Sequence, residues 1–164
     1  MGYIPQNFKK TVIQIAKIFN NYQYAIRGTA SLVLQNYDMN VDDIDIITDK
    51  DTSLKCNILL KKYLKEKVKY KISKKYKSYF GKAKINDIDI EVMGCFQIKN
   101  NKGKWSKIFS AKDNEITKIK LSNNVIYVTN AETELEMFAL MGRWNAYHKL
   151  KEQVDKTKQL IFSL

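Results

Sequence analysis

"RGTASLVLQNYDMNVDDIDIITD", residues 27–49, is the stretch that decides the fold. It overlaps the end of the short aromatic segment "YQYAIR" at 22–27, whose residue types predict a strand. Gly28 interrupts that strand, and Thr29 is placed to cap the apolar helix "ASLVLQ" that follows. These residues predict a strand, a tight turn and a buried helix in close succession.

The end of the same stretch carries acids in a strand pattern. Asp43 and Asp45 alternate with Ile44 and Ile46, so both carboxylates face one side of a strand at 43–48. The two carboxylates repel each other, and a hard divalent cation such as Mg²⁺, which takes oxygen ligands, would relieve that repulsion. Taken alone, the pattern has a second interpretation, in which the acids lie on the solvated face of an edge strand.

A second strand repeats this arrangement. The segment "IDIEVM" at 88–93 puts Asp89 and Glu91 on one face and apolar side chains on the other. Two acidic strand faces in one sheet concentrate negative charge, and a shared cation would resolve the conflict. The alternation alone leaves open whether Asp89 or Glu91 joins Asp43 and Asp45.

The order of the remaining patterns predicts the fold class. Helices and strands alternate early and hairpins follow, which indicates an α+β fold, a mixed β-sheet with helices packed on it. We expect helices at 7–20, 30–35 and 52–66, strands at 22–27, 43–48, 67–73, 78–85 and 88–93, a basic loop at 97–107, a hairpin of strands at 116–121 and 124–129, and two final helices, the first capped near Thr129 or Asn130 and the second beginning near Ala146.

Length and composition predict one domain. The chain has 164 residues, 45% of them apolar, and only one proline, which is enough for one core and leaves no evident linker. No window approaches the roughly 18 apolar residues that a membrane span needs. The two cysteines form no disulfide framework or metal-binding motif. We therefore expect a single cytoplasmic domain over 1–164 that does not enter a membrane.

The charge predicts an anionic partner. The net charge is +12, and 27 of the 29 basic residues are lysine, so polyanions such as nucleic acid or nucleoside triphosphates are attracted. The scarcity of arginine argues against sequence-specific reading of duplex DNA. In the lysine-rich stretch 61–77, Lys67, Lys69 and Lys71 share one strand face, for which a solvated surface is the plainer interpretation. Lys75 is the best single candidate for a phosphate contact.

Three motifs in order carry a family resemblance. Gly28-Thr29, then Asp43-Ile44-Asp45, then Ile90-Glu91-Val92 resemble the signature of the nucleotidyltransferase superfamily related to DNA polymerase β. More narrowly, the chain resembles the small bacterial and archaeal nucleotidyltransferase-like proteins, which are little more than the catalytic domain. The resemblance covers a motif core at about 10–95 and, more loosely, the C-terminal hairpin and helices at about 108–164.

The resemblance implies a nucleotidyltransferase fold and a role for each matching residue. Gly28 and Thr29 would bind the triphosphate of a nucleoside triphosphate (NTP), a hydroxyl and amide at a helix start being suited to phosphate. Asp43, Asp45 and Glu91 would be the catalytic acids and would hold two Mg²⁺ ions. Of the two acids on the later strand, Glu91 matches the family better than Asp89 because of the "EVMG" context.

Two kinds of function remain open. The first is a Mg²⁺-dependent enzyme that moves a nucleoside monophosphate from an NTP to a hydroxyl of RNA, a small molecule or a protein, and releases pyrophosphate. The second is a nucleotidyltransferase-like binding module, an antitoxin or regulator that binds or modifies a protein partner of the toxin–antitoxin type. The presence of Asp43, Asp45 and Glu91 favours the enzyme.

Overall fold

A mixed β-sheet organises the computed structural model, which describes residues 2–163. Within this range the sheet has seven strands. The elements in chain order are α1 (Phe8–Ile18), β1 (Tyr24–Arg27), α2 (Gly28–Leu34), β2 (Ile44–Thr48), α3 (Lys50–Leu59), β3 (Leu64–Ile72), β4 (Tyr76–Ile85), β5 (Ile88–Ile98), a 3₁₀ turn (Asp113–Glu115), β6 (Ile116–Leu121), β7 (Asn124–Thr129), α4 (Ala131–Met141) and α5 (Trp144–Phe162). The predicted α+β class is confirmed.

The strand order places the two acidic strands side by side. The order across the sheet is β3-β4-β5-β2-β1-β7-β6. Strand β2 runs antiparallel to β1 and parallel to β5. The pairing of β2 with β5 brings the two acidic strands together, with the acids of both strands on the same side of the sheet.

Each face of the sheet has its own apolar core. On one face Ile44, Ile46, Ile90 and Val92 pack in a cluster with side chains of α1 and α3. On the other face residues including Ile47 and Met93 pack with Met137 and Met141 of α4. The isoleucines that alternate with the acids are therefore buried, as the strand pattern predicted, and the acids face the α4 side.

The largest difference from the predicted elements lies between α3 and β3. A helix over 52–66 was expected, but α3 ends at Leu59 and β3 begins at Leu64. Leu64 pairs with Ala83 of β4, and the Asn57 side chain accepts a hydrogen bond from the Val68 backbone at 2.7 Å. Pairing with a distant strand outweighs local helix preference here.

Two further boundaries differ. The expected loop from 97 begins later, because β5 continues to Ile98 and pairs there with Tyr76. The last helix begins at Trp144, after Gly142 ends α4 with a φ of 71°. Of the two residues predicted to cap α4, Thr129 and Asn130, the cap is Asn130, whose side chain accepts a hydrogen bond from the Thr133 backbone at 2.9 Å.

Candidate active site

Three carboxylates converge on the α4 side of the sheet. Asp43 lies directly before β2, Asp45 lies within it, and Glu91 lies in β5. One carboxylate oxygen from each of the three lies within 4.8 Å of the others. The convergence follows from backbone pairing, because Asp45 and Glu91 are register partners. Carboxylate oxygens in such a group can ligate a hard divalent cation.

Asp89 does not join this group. It is exposed, and its carboxylate forms an ion pair with Lys84 of β4 at 3.4 Å. Alternation left open which of Asp89 and Glu91 joins the first two acids. In the structure Glu91 lies with Asp43 and Asp45.

The electrostatics of the group are those of a site that favours added positive charge. Burial raises the pKa of Asp45 to about 7, with Asp43 and Glu91 adding to the effect and Arg27 opposing it. Burial also raises the pKa of Asp43, helped by repulsion from Asp42. The pKa of Glu91 is raised by burial and by Asp43. The Oδ1 atom of Asp45 is buried and has no hydrogen-bond partner within residues 2–163.

The Gly28-Thr29 turn lies beside the acids, but its local structure differs from the prediction. The helix begins at Gly28, whose φ is 70°, and the residue in the capping position is Arg27, without a side-chain cap. Thr29 therefore lies in the first turn and is not the cap. The Gly28 amide instead donates to Oε1 of Glu134 at 2.7 Å. The first amide of α2 is thus bound by a side chain of α4, and α2 has no side-chain cap of its own.

A cavity of about 360 Å³ joins the turn and the acids. This volume lies within the range of small-ligand pockets. Its polar part contains the predicted residues Gly28, Thr29, Asp43, Asp45 and Glu91. Its other walls are mainly apolar and aromatic, and most of them come from β4, β5, α4 and the α4–α5 corner, with one residue each from β1 and α2. These lining residues are Arg27, Ala30, Tyr76, Ser78, Phe80, Met93, Phe96, Phe138, Met141 and Arg143.

The predicted phosphate contact, Lys75, has a different immediate partner. Its Nζ donates to the carbonyl of Met141 at the end of α4, and Lys75 is not among the residues that line the cavity. Arg143 does line it. The chain has two arginines, Arg27 and Arg143, and both reach this one cavity. Sequence reasoning did not single out either.

The lysine face predicted on β3 is partly neutralised. Lys69 and Lys71 pair with Phe80 and Ser78, two residues of the cavity wall, so they lie on the α4 side of the sheet. Lys71 forms an ion pair with Glu66. The predicted shared face is present for Lys69 and Lys71, whereas the pairing with β4 is irregular between Glu66 and Lys69, the segment that contains Lys67. Part of the charge is compensated by Glu66.

Glu134 is the main site feature that sequence reasoning missed. It is fully buried, on the stripe of α4 that also carries Ala131, Phe138 and Met141. An acid at a core position of an amphipathic helix is unusual, because burial of a charge requires a partner. An acid on the apolar stripe of α4 was the feature of the sequence that could have indicated a site residue. Its partners, Gly28 and Arg27, lie too far away in sequence to be inferred.

Comparisons with known proteins give matches among solved structures only: no family model and no curated protein matches the chain. A candidate nucleotidyltransferase from Thermotoga maritima superposes with a TM-score of 0.76 over 94% of this chain and 97% of that one, at 22% identity. The chain has the nucleotidyltransferase fold. The lincosamide antibiotic adenylyltransferase LnuA, solved with lincomycin bound, shares this fold at a TM-score of 0.57 and 14% identity, over 92% of this chain and 98% of that one.

These likenesses establish the predicted nucleotidyltransferase fold. As for membranes, no helix within residues 2–163 has the length and apolar character needed to cross one.

Proposed function

We propose that this protein is a divalent-metal-dependent nucleotidyltransferase that transfers a nucleoside monophosphate from an NTP to an acceptor hydroxyl. The observation that carries the proposal is the convergence of Asp43, Asp45 and Glu91 within 4.8 Å at a cavity that also contains Gly28 and Thr29. The nucleotidyltransferase fold supports the reaction type. In this proposal residues 1–164 act as a single nucleotidyltransferase-like domain.

The donor set fits Mg²⁺. All three groups offer carboxylate oxygens, which Mg²⁺ prefers. The Oδ1 atom of Asp45 is buried and accepts no hydrogen bond from residues 2–163, so a bound cation would compensate it. Asp43 and Asp45 would hold the metal that accompanies the NTP, and Glu91 would share a second ion. Two such ions, when bound, stabilise the attacking and leaving oxygens of an in-line displacement.

The proposed reaction replaces one phosphorus–oxygen bond with another and requires a base for the acceptor proton. The acceptor oxygen forms a bond to the α-phosphorus, the bond from that phosphorus to the bridging oxygen breaks, and pyrophosphate leaves. The acceptor proton goes to a general base. Glu91 is the candidate, because Asp43 and Asp45 are assigned to the metal that accompanies the NTP and because burial and Asp43 raise the pKa of Glu91. A carboxylate has two oxygens, so one oxygen of Glu91 would hold the second ion and the other would accept the proton.

The triphosphate needs hydrogen-bond donors and positive charge. Because the Gly28 amide is engaged by Glu134, the Thr29 hydroxyl and amide are the donors of the turn that we assign to phosphate. Arg143 lines the cavity and supplies positive charge at its wall. Lys75 stays a candidate for the same role, although its Nζ is bound to the Met141 carbonyl.

The acceptor is proposed by class only. The net charge of +12 disfavours a strongly cationic acceptor and is compatible with RNA, a neutral small molecule or a protein hydroxyl. The apolar wall with Phe80, Met93 and Phe96 would contact the base of the NTP or the ring of a small acceptor.

A transfer assay tests the proposal. Purified protein is incubated with each α-³²P-labelled NTP, Mg²⁺ and either total RNA, cell extract or a small-molecule pool, and label transfer and pyrophosphate release are measured. We expect both with the wild type and neither with the Asp43→Ala/Asp45→Ala variant. Equal behaviour of the two proteins would overturn the enzyme. NTP binding with no transfer to any acceptor class would favour the alternative, a regulatory binding module.

A further inference from the structure

Arg27 lies between two carboxylates in the wall of the cavity. Its Nη1 is 3.3 Å from Oδ2 of Asp45, and its Nη2 is 3.9 Å from Oε2 of Glu134. Its guanidinium carbon also lies 5.3 Å from the centre of the Phe96 ring. Arg27 is itself buried, so its charge must be compensated by these neighbours and not by water.

The two carboxylates differ in what else they can do. Asp45 belongs to the group with Asp43 and Glu91, whereas Glu134 lies outside that group. Glu134 is fully buried, and its Oε1 already accepts hydrogen bonds from the Gly28 amide and the Thr129 hydroxyl. The Glu134 side chain is thus held by two hydrogen bonds to one oxygen, and its second oxygen faces Arg27.

We propose that Glu134 is a positioning residue that shares the charge of Arg27 with Asp45 and so leaves the Oδ1 atom of Asp45 available to bind metal, since Arg27 donates only to its Oδ2 atom. This role rests on the proposed metal-dependent function. Without Glu134, Asp45 would be the one carboxylate of residues 2–163 within ion-pair distance of Arg27, and the guanidinium would compete with a cation for its oxygens. The same side chain accepts a hydrogen bond from the Gly28 amide and so links α4 to the Gly28-Thr29 turn. Helix α4 therefore supports the site.

A double-mutant cycle on metal binding distinguishes an effect of Glu134 through Arg27 from a long-range effect of the Glu134 charge alone. Mn²⁺ affinity is measured by calorimetry, without any NTP, for the wild type, Glu134→Gln, Arg27→Met and the double variant. Gln keeps an oxygen that can accept from Gly28 but removes the charge, and Met has nearly the length of Arg without its charge. Metal-free thermal unfolding and circular dichroism verify that each variant folds.

The proposal predicts coupling between the two positions. Glu134→Gln weakens Mn²⁺ binding at least about fivefold in the presence of Arg27, a usual size for coupled sites. In the Arg27→Met background the same substitution changes the affinity less than about twofold, because no guanidinium is left to compete for Asp45. Equal factors in both backgrounds would overturn the proposal, since a charge acting only through its long-range field is additive.

A second arm keeps the test decisive if Glu134→Gln does not fold. Arg27→Met alone is expected to bind Mn²⁺ at least as tightly as the wild type, and binding more than about fivefold weaker would refute competition by Arg27. A wild type that does not bind Mn²⁺ at all would overturn both the metal site and this role. Normal Mn²⁺ binding that is lost in Asp45→Asn but unchanged in Glu134→Gln would overturn this role alone.

Discussion

Glu91 lies directly opposite Asp45 in the parallel register of β2 and β5, the same register that sets Ile90 against Ile44. The pairing therefore aligns acid with acid on one face and isoleucine with isoleucine on the other. Lys82 of β4 is the register partner of Glu91 on its other side. The three-carboxylate group is thus built into central strands of the sheet, whose backbone hydrogen bonds hold its geometry more rigidly than a loop would.

The first prediction separates Glu91 from its neighbour on the same strand face. Glu91→Gln should lower the rate of nucleotidyl transfer by roughly a hundredfold or more, the usual effect of losing a general base. Asp89→Asn is the matched control, because Asp89 is exposed and paired with Lys84. It should stay within about threefold of wild type, as its carboxylate makes only a surface ion pair. Initial rates of label transfer give both values, and an equal loss in the two variants would contradict the assignment.

The second prediction concerns stability and pH. Burial raises the pKa of Asp45 to about 7, so the folded state favours the protonated carboxyl more than the unfolded state does, where the value is about 4. The contribution of Asp45 to stability is therefore greatest at low pH and is lost as pH rises from about 4 to about 7.

Asp45→Asn removes this loss. In metal-free buffer its melting temperature should exceed that of wild type by more at pH 8 than at pH 5, with each kcal/mol worth roughly 2–4 °C for a chain of this size. Mn²⁺ should raise the wild-type melting temperature at pH 8 and leave the variant nearly unchanged, because a ligand stabilises the state that binds it. A difference between the two proteins that is independent of pH would contradict the prediction.

The sequence could predict the acids because the signal is local. Alternation along a strand determines that Asp43 and Asp45 share a face, and the same rule applies to Glu91. Alternation does not determine which strands are neighbours, so by itself it could not choose between Asp89 and Glu91. The family resemblance favoured Glu91, and the register of β5 on β2 gives the physical reason.

Contacts between distant residues could not be predicted. Gly28 and Glu134 are 106 residues apart, and only the fold shows that a buried acid of α4 accepts a hydrogen bond from the first amide of α2. Lys75 shows the same limit, because its charge is visible in the sequence but its bond to the Met141 carbonyl is not. Local patterns thus gave the acids and most elements, and tertiary pairing determined their partners.

The third prediction compares Arg143 and Lys75, the two cationic residues proposed to bind phosphate. Arg143→Ala should raise the dissociation constant of Mg²⁺·NTP by roughly tenfold, because hydrogen bonds to charged groups contribute about 1.5–3 kcal/mol. Lys75→Ala should have the smaller effect on NTP and the larger effect on thermal stability, since its Nζ binds the Met141 carbonyl at the end of α4. Calorimetry and thermal unfolding on both variants provide the comparison. A larger loss of NTP affinity in Lys75→Ala would favour the sequence-based choice.

The fourth prediction isolates the Thr29 hydroxyl. Thr29→Val keeps the shape of the side chain and removes the hydroxyl, so Mg²⁺·NTP should bind roughly tenfold more weakly if that hydroxyl donates to phosphate. Thr29→Ser keeps the hydroxyl, removes the methyl and should bind as tightly as wild type or more tightly. Calorimetry with each NTP in excess Mg²⁺ distinguishes the two. Equal binding by Thr29→Val and wild type would leave the backbone amide of Thr29 as the phosphate donor of the turn, because the amide of Gly28 is already engaged by Glu134.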